Sequence, residues 1–174
     1  MLPNMSKNLL LPTILLTATA PGLAQSGGAS GDARYLPVMV EVTQNGGKAR
    51  DFSVVLFKDN EQVAELPPSS HAAFELDLDL NACFTIRVRK EGYREKMIHI
   101  NTALPEGVRE YEPYPCLVDL EPSDRFAHAD PFYLDFPSAV VRWNEVKHEF
   151  DHSDEYLDEI QLKMALLSAQ GAAE

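Results

Sequence analysis

Phe74-Glu75-Leu76-Asp77-Leu78-Asp79-Leu80 and, after Asn81-Ala82, Cys83-Phe84-Thr85-Ile86-Arg87-Val88-Arg89 decide the fold class. In both stretches apolar residues alternate with polar ones at period two, which puts Phe74, Leu76, Leu78, Phe84, Ile86 and Val88 on one face of a sheet. Asn81 predicts a turn that sets the acidic row Glu75, Asp77, Asp79 opposite the basic row Arg87, Arg89. Cross-strand ion pairs of that kind contribute up to about 1 kcal/mol each and help to fix register. A calcium ladder built on the three acids competes with this solvated-face reading, but the arginines expected across the strand favour the latter.

The same signature extends in both directions. Runs rich in β-branched and aromatic residues predict strands at 35–43, 53–58, 62–66, 72–80, 83–90, 95–101 and 114–120. Asn45-Gly46-Gly47, Asp59-Asn60, Pro67-Pro68, Gly92 and Pro105-Glu106-Gly107 interrupt them with turn formers. Seven strands in about 85 residues is the density of a two-sheet sandwich. Beyond Glu121-Pro122 the character changes. Residues 130–137 (Asp-Pro-Phe-Tyr-Leu-Asp-Phe-Pro) read as an extended aromatic connector, and 139–143 as a further strand. Ser153 is an N-cap followed by Asp154 and Glu155, opening a helix to about residue 168. Its apolar side carries Tyr156, Ile160, Met164 and Leu167 and needs a surface to cover it.

The first 24 residues hold one charge, Lys7, and an apolar run from Leu9 to Leu16, with small residues Gly22 and Ala24 at the end. This predicts a secretory signal peptide cleaved before Gln25, followed by a flexible lead-in over 25–34. Cleavage moves the net charge from −12 to −13, which excludes nucleic acid and anionic lipid as expected partners. No further apolar run and no cysteine near the cleavage site predict a membrane anchor. Export to an oxidising compartment would permit a disulfide between Cys83 and Cys116. Alternation sets Cys83 on the outward face and Cys116 with Val118 and Leu120 on the inward one, which disfavours that pairing.

Residues 36–120 resemble the transthyretin-like, carboxypeptidase-regulatory-type sandwich of bacterial envelope proteins. The resemblance is carried by Phe74-Glu75-Leu76-Asp77-Leu78, by Cys83-Phe84-Thr85-Ile86-Arg87-Val88-Arg89-Lys90-Glu91-Gly92-Tyr93, and by Lys96 to Thr102. Ser69-Ser70-His71 stand where that family usually has a glycine before the Phe74 strand. The segments Pro137 to Val141 and Phe150 to Tyr156 are similar to a tail that follows such domains in exported proteins. The resemblance implies an all-β, seven-stranded, transthyretin-like (Ig-like) sandwich over 35–121. Residues 122–174 would supply a connector, an appended strand and a short α-helix packed on it. It implies a non-enzymatic binding or scaffolding module of the envelope, periplasmic, cell-surface or secreted, with an envelope protein or glycan as partner and no cofactor.

One motif points elsewhere. His148-Glu149-Phe150-Asp151-His152 has the zinc-peptidase spacing His-Glu-x-x-His, in which one helical face presents two imidazole ligands and the glutamate activates the metal-bound water. A small zinc-dependent hydrolase using His148, Glu149 and His152 is therefore the alternative function. The cap at Ser153 follows the motif rather than preceding it, so a strand or turn is expected there and no metal site. Trp143, Phe132 and Tyr133 are candidate glycan- or peptide-binding aromatics, set against a role as the plug that seals the connector on the sheet.

Overall fold

A computed structural model describes residues 34–69 and 71–170. The expected signal peptide and all of the lead-in except Arg34 lie outside the described residues. The described chain runs β1 (Tyr35–Gln44), β2 (Gly47–Lys48), β3 (Phe52–Lys58), β4 (Glu61–Ser69), β5 (Ala73–Asp79), β6 (Cys83–Arg89), β7 (Lys96–Asn101) and β8 (Tyr114–Leu120). After two 3₁₀ turns, Ser123–Phe126 and Pro131–Leu134, come β9 (Ala139–Asn144), β10 (Glu149–His152) and the helix α1 (Asp154–Gln170). The molecule is thus β-rich with two sheets, and its strands number more than the seven-plus-one expected because β2 and β10 add to them.

In the four-stranded sheet β1 is central and pairs with all three others: β8 is parallel to it, and β5 and the short β2 are antiparallel, β5 against residues 35–41 and β2 against 43–44. The second sheet has six strands in the order β10-β9-β7-β6-β3-β4. Leu36, Val38, Val40 and Val42 of β1 and Tyr114, Cys116, Val118 and Leu120 of β8 face inward from the first sheet. Val54, Phe84, Ile86, Val88, Ile98 and Ile100 meet them from the second. Burying such a side chain contributes about 1.5–3 kcal/mol, so the alternating rows define which face of each strand turns inward.

Two expectations need correction here. β5 and β6 do not pair as a hairpin: β5 lies against β1, whereas β6 lies between β3 and β7 in the other sheet. Both strands have an apolar row to bury, and facing sheets satisfy both rows at once. The link at Leu80-Asn81-Ala82 crosses between sheets, with Asn81 at φ 59°. The acidic and basic rows are consequently separated. Asp79 pairs with Lys58 at 2.5 Å, while Arg87 and Arg89 pair with Glu95. The connector is also not extended throughout, because Asp130 accepts from the Phe132 N–H and caps a 3₁₀ turn over Pro131–Leu134.

The C-terminal segment completes a sheet rather than lying outside one. β9 pairs in parallel with β7, Ile98 opposite Ala139 and Ile100 opposite Val141, and β10 folds back on β9. Val141 and Phe150 thereby enter the core. α1 begins at the expected cap, the Ser153 hydroxyl accepting from the Tyr156 N–H at 3.3 Å, and it buries Ile160 and Leu167.

Candidate functional site

A cleft opens where α1 crosses the end of the six-stranded sheet. Its first compartment, about 340 Å³, has Arg94, Lys96, Glu121 and Arg125 as its ionic wall. Leu157, Ile160, Met164 and Ala165 of α1, with Phe126, form the apolar wall. A second compartment of about 320 Å³ shares Lys96, Ser138 and Leu157 with the first and reaches Tyr114 and His152.

Local sequence dictates this placement. Gly92, at φ +77°, turns the chain after β6 so that its carbonyl accepts from the Ser123 N–H at 3.0 Å. The Arg94 N–H then donates to the Glu121 carbonyl at 2.9 Å, locking residues 92–94 beside 121–123. The Arg94 side chain is only 7 % exposed, Lys96 14 % and Glu121 23 %. Glu121 Oε2 accepts from Lys96 Nζ at 2.6 Å and from Arg94 Nη1 at 3.3 Å, and Oε1 lies 3.9 Å from Arg125. Phe136 lies against the Arg94 guanidinium, 5.0 Å from the ring centre, with Lys163 at 4.2 Å.

Electrostatics follow from burial. Desolvation lowers both Arg94 and Lys96 below their ordinary values, against the pull of Glu121. Burial alone would raise Glu121, but the hydrogen bond from Lys96 and the charges of Lys96, Arg94 and Arg125 hold it below the usual carboxylate range. Three cations and one carboxylate leave the wall net positive in a chain of net charge −12. Arg94 Nε and Nη2, together with Ser138 Oγ, are buried without hydrogen-bond partners. A buried unpaired donor costs about 1–3 kcal/mol, more on a charged group, so an acceptor brought to these atoms would be stabilising.

The residues singled out from sequence fall elsewhere. His148 lies in the β9–β10 turn at φ 55°, and Glu149 to His152 form β10, so the helix that the zinc motif requires is not formed. Asp151 is buried against Lys147, and His152 has a carboxylate oxygen 3.2 Å from each ring nitrogen, from Asp151 and Asp154. Among the described residues no three His, Cys, Asp or Glu side chains are grouped to hold a metal ion. Cys83 and Cys116 are both free, so the disulfide considered from sequence is not formed: they belong to strands of different sheets, Cys83 on the outward row. Burial pushes the Cys116 thiol up to about 12, leaving it a packing group.

Trp143 and the pair Phe132–Tyr133 are not one aromatic platform. Trp143 is half-buried and packs edge-on against Phe150, which does the same against Tyr111. Phe132 is 78 % and Tyr133 52 % exposed, so neither plugs the connector as the packing role required. Sequence reading missed Arg94, Lys96, Glu121 and Ser138 entirely. The available signal was two charged residues flanking turn formers, at Gly92-Tyr93-Arg94 and Glu121-Pro122.

Among the described residues no helix is long and apolar enough to cross a membrane. No protein-family model matches the chain, and neither does any curated protein. The chain is similar to a solved structure described as "Crystal Structure of S.CueP", with 16 % identity and a TM-score of 0.35. That similarity covers 53 % of this chain and 64 % of the other, less than two thirds of its length, and is too distant to carry an argument about fold or function.

Proposed function

We propose that the protein is a non-enzymatic module of the cell envelope, exported by its first 24 residues and built on a transthyretin-like sandwich. It binds an envelope protein or glycan through the cleft beneath α1. One observation carries this reading: Arg94, which lines the cleft, has its guanidinium held almost entirely out of water with two donors unpartnered. Burying a charge is costly, and a binding site recovers that cost when its ligand arrives. The Lys-x-Gly-Tyr turn at Lys90 to Tyr93, which carries the family resemblance, is also the turn that delivers Arg94 to the cleft.

The test is crosslinking of the tagged protein in its own envelope, with wild type compared to Ala165→Trp, which fills the cleft from the helix side. A partner captured by the wild type and lost with Ala165→Trp is expected, on a protein whose measured mass starts at Gln25. One zinc per chain, lost on His152→Ala, would overturn the reading in favour of a metal site.

A further inference from the structure

The free donors of Arg94 have a geometry that selects a ligand class. In a guanidinium, Nε–H and the adjacent Nη2–H point the same way, forming a side-on fork that matches the two oxygens of a carboxylate. Both nitrogens of that fork are without partners, while the remaining one, Nη1, is engaged by Glu121. Ser138, whose Oγ is also buried and unpartnered, lines both compartments, which sets a third donor beside the place where they join.

The rest of the cavity restricts what can carry that anion. Leu157, Ile160, Met164 and Phe126 offer apolar surface and no donors, so a ligand that fills the cleft needs a hydrocarbon body beside its anionic group, which inorganic phosphate lacks. Glu121 on the same wall weighs further against a dianion. About 340 Å³ lies at the small end of the range for small-molecule sites. We infer that the cleft binds a carboxylate with an apolar body, the buried Arg94 fork and Ser138 hydroxyl turning out to meet its oxygens while its hydrocarbon lies against Leu157, Ile160 and Met164.

This deepens the binding reading of the same cleft and rests on it. A free organic acid and the C-terminal carboxylate of an apolar partner peptide share this chemistry. The experiment is calorimetric titration of the purified protein with octanoate, octan-1-ol, inorganic phosphate, acetyl-Ala-Leu-Leu and its amide, with the ¹⁵N resonance of Arg94 Nε followed in parallel. Octanoate is expected to bind with a shift of that resonance, and Arg94→Lys, which keeps the charge but loses the fork, to weaken it about tenfold or more. Ser138→Ala, a milder change in case Arg94→Lys unfolds, is expected to weaken it several-fold, and Met164→Trp to block it by filling the apolar end. Binding of the free peptide but not its amide, in place of octanoate, supports the same chemistry with a chain terminus as source. Equal binding of octan-1-ol, preference for phosphate, or no binding by octanoate or free peptide overturns the inference. The module reading fails separately, through the envelope crosslinking: a partner captured through the cleft while neither acid binds would leave that reading intact and this one refuted.

Discussion

Thr102 is fully buried, and its hydroxyl holds the crossing between the two sheets. Its Oγ donates to the Asp79 carbonyl at 2.7 Å and accepts from the Ala82 N–H at 3.0 Å, while its own N–H donates to the Ala82 carbonyl. Thr102→Val keeps the shape and strands both backbone partners, which should cost about 2 kcal/mol in a urea titration, with Thr102→Ser recovering most of it. A Thr102→Val protein as stable as wild type would mean that the crossing is held by packing alone. Gly92 makes a cleaner case at this scale. A Cβ there would meet no atom within 4 Å, so the cost of Gly92→Ala comes from φ +77° and should be about 1 kcal/mol. His148, at φ 55°, reverses the sign: His148→Gly relieves a left-handed side chain and is expected to leave stability unchanged or raise it by up to about 1 kcal/mol. A large loss of stability on that change would show that the imidazole has a structural role that the turn geometry does not explain.

At the scale of elements, β9, β10 and α1 form one continuous unit built on two polar signals. Asn144 closes the hairpin, its side-chain oxygen accepting from the Val146 and Lys147 N–H groups at 3.0 and 3.1 Å, and Ser153 starts the helix. Asn144→Ala and Ser153→Ala should each cost about 1 kcal/mol. Ser153→Ala alone should also loosen the cleft, seen as faster amide exchange in residues 154–160; unchanged exchange would place the start of α1 under the control of Tyr156, whose hydroxyl donates to the Pro137 carbonyl at 2.6 Å. Period-two alternation made the strands legible because it is local: each inward residue from Leu36 to Leu120 is specified by its own neighbours. Sheet membership is not local. Nothing in Phe74–Leu80 distinguishes pairing with β6 from facing it, and only the burial of two apolar rows at once decides the matter. The cleft was illegible for the same reason. Arg94 and Lys96 share the parity of the inward Ile98 and Ile100, but the elements that wall them into a cleft, β9 and α1, arrive from forty residues or more downstream.

For the molecule as a whole, acid should unfold the protein through the contacts that position the cleft. Burial raises the Glu121 carboxyl, but the Lys96 hydrogen bond and the neighbouring cations more than offset this and bring it below the ordinary 4.5. Asp151 behaves alike: burial raises it, while hydrogen bonds from Lys147 and the His152 N–H bring it below 3.8. A carboxylate whose folded value is depressed binds fewer protons folded than unfolded, so its stabilisation is complete above the unfolded value. That stabilisation is lost as pH falls through the folded value. Both groups therefore contribute fully at neutral pH and release the fold in turn as pH falls, Glu121 below about 4.5, freeing Arg94, Lys96 and Arg125, and Asp151 below about 3.8, freeing the β9–β10 turn. Urea midpoints between neutral pH and pH 3 should fall steeply in this window for the wild type. Glu121→Gln should be less stable at neutral pH, by about 2 kcal/mol, because two buried cations lose their partner, and its midpoint should then depend less on pH below 4.5. Parallel curves for the two proteins would mean that Glu121 titrates alike in the folded and unfolded chains, and that the buried cations are balanced by something other than this carboxylate.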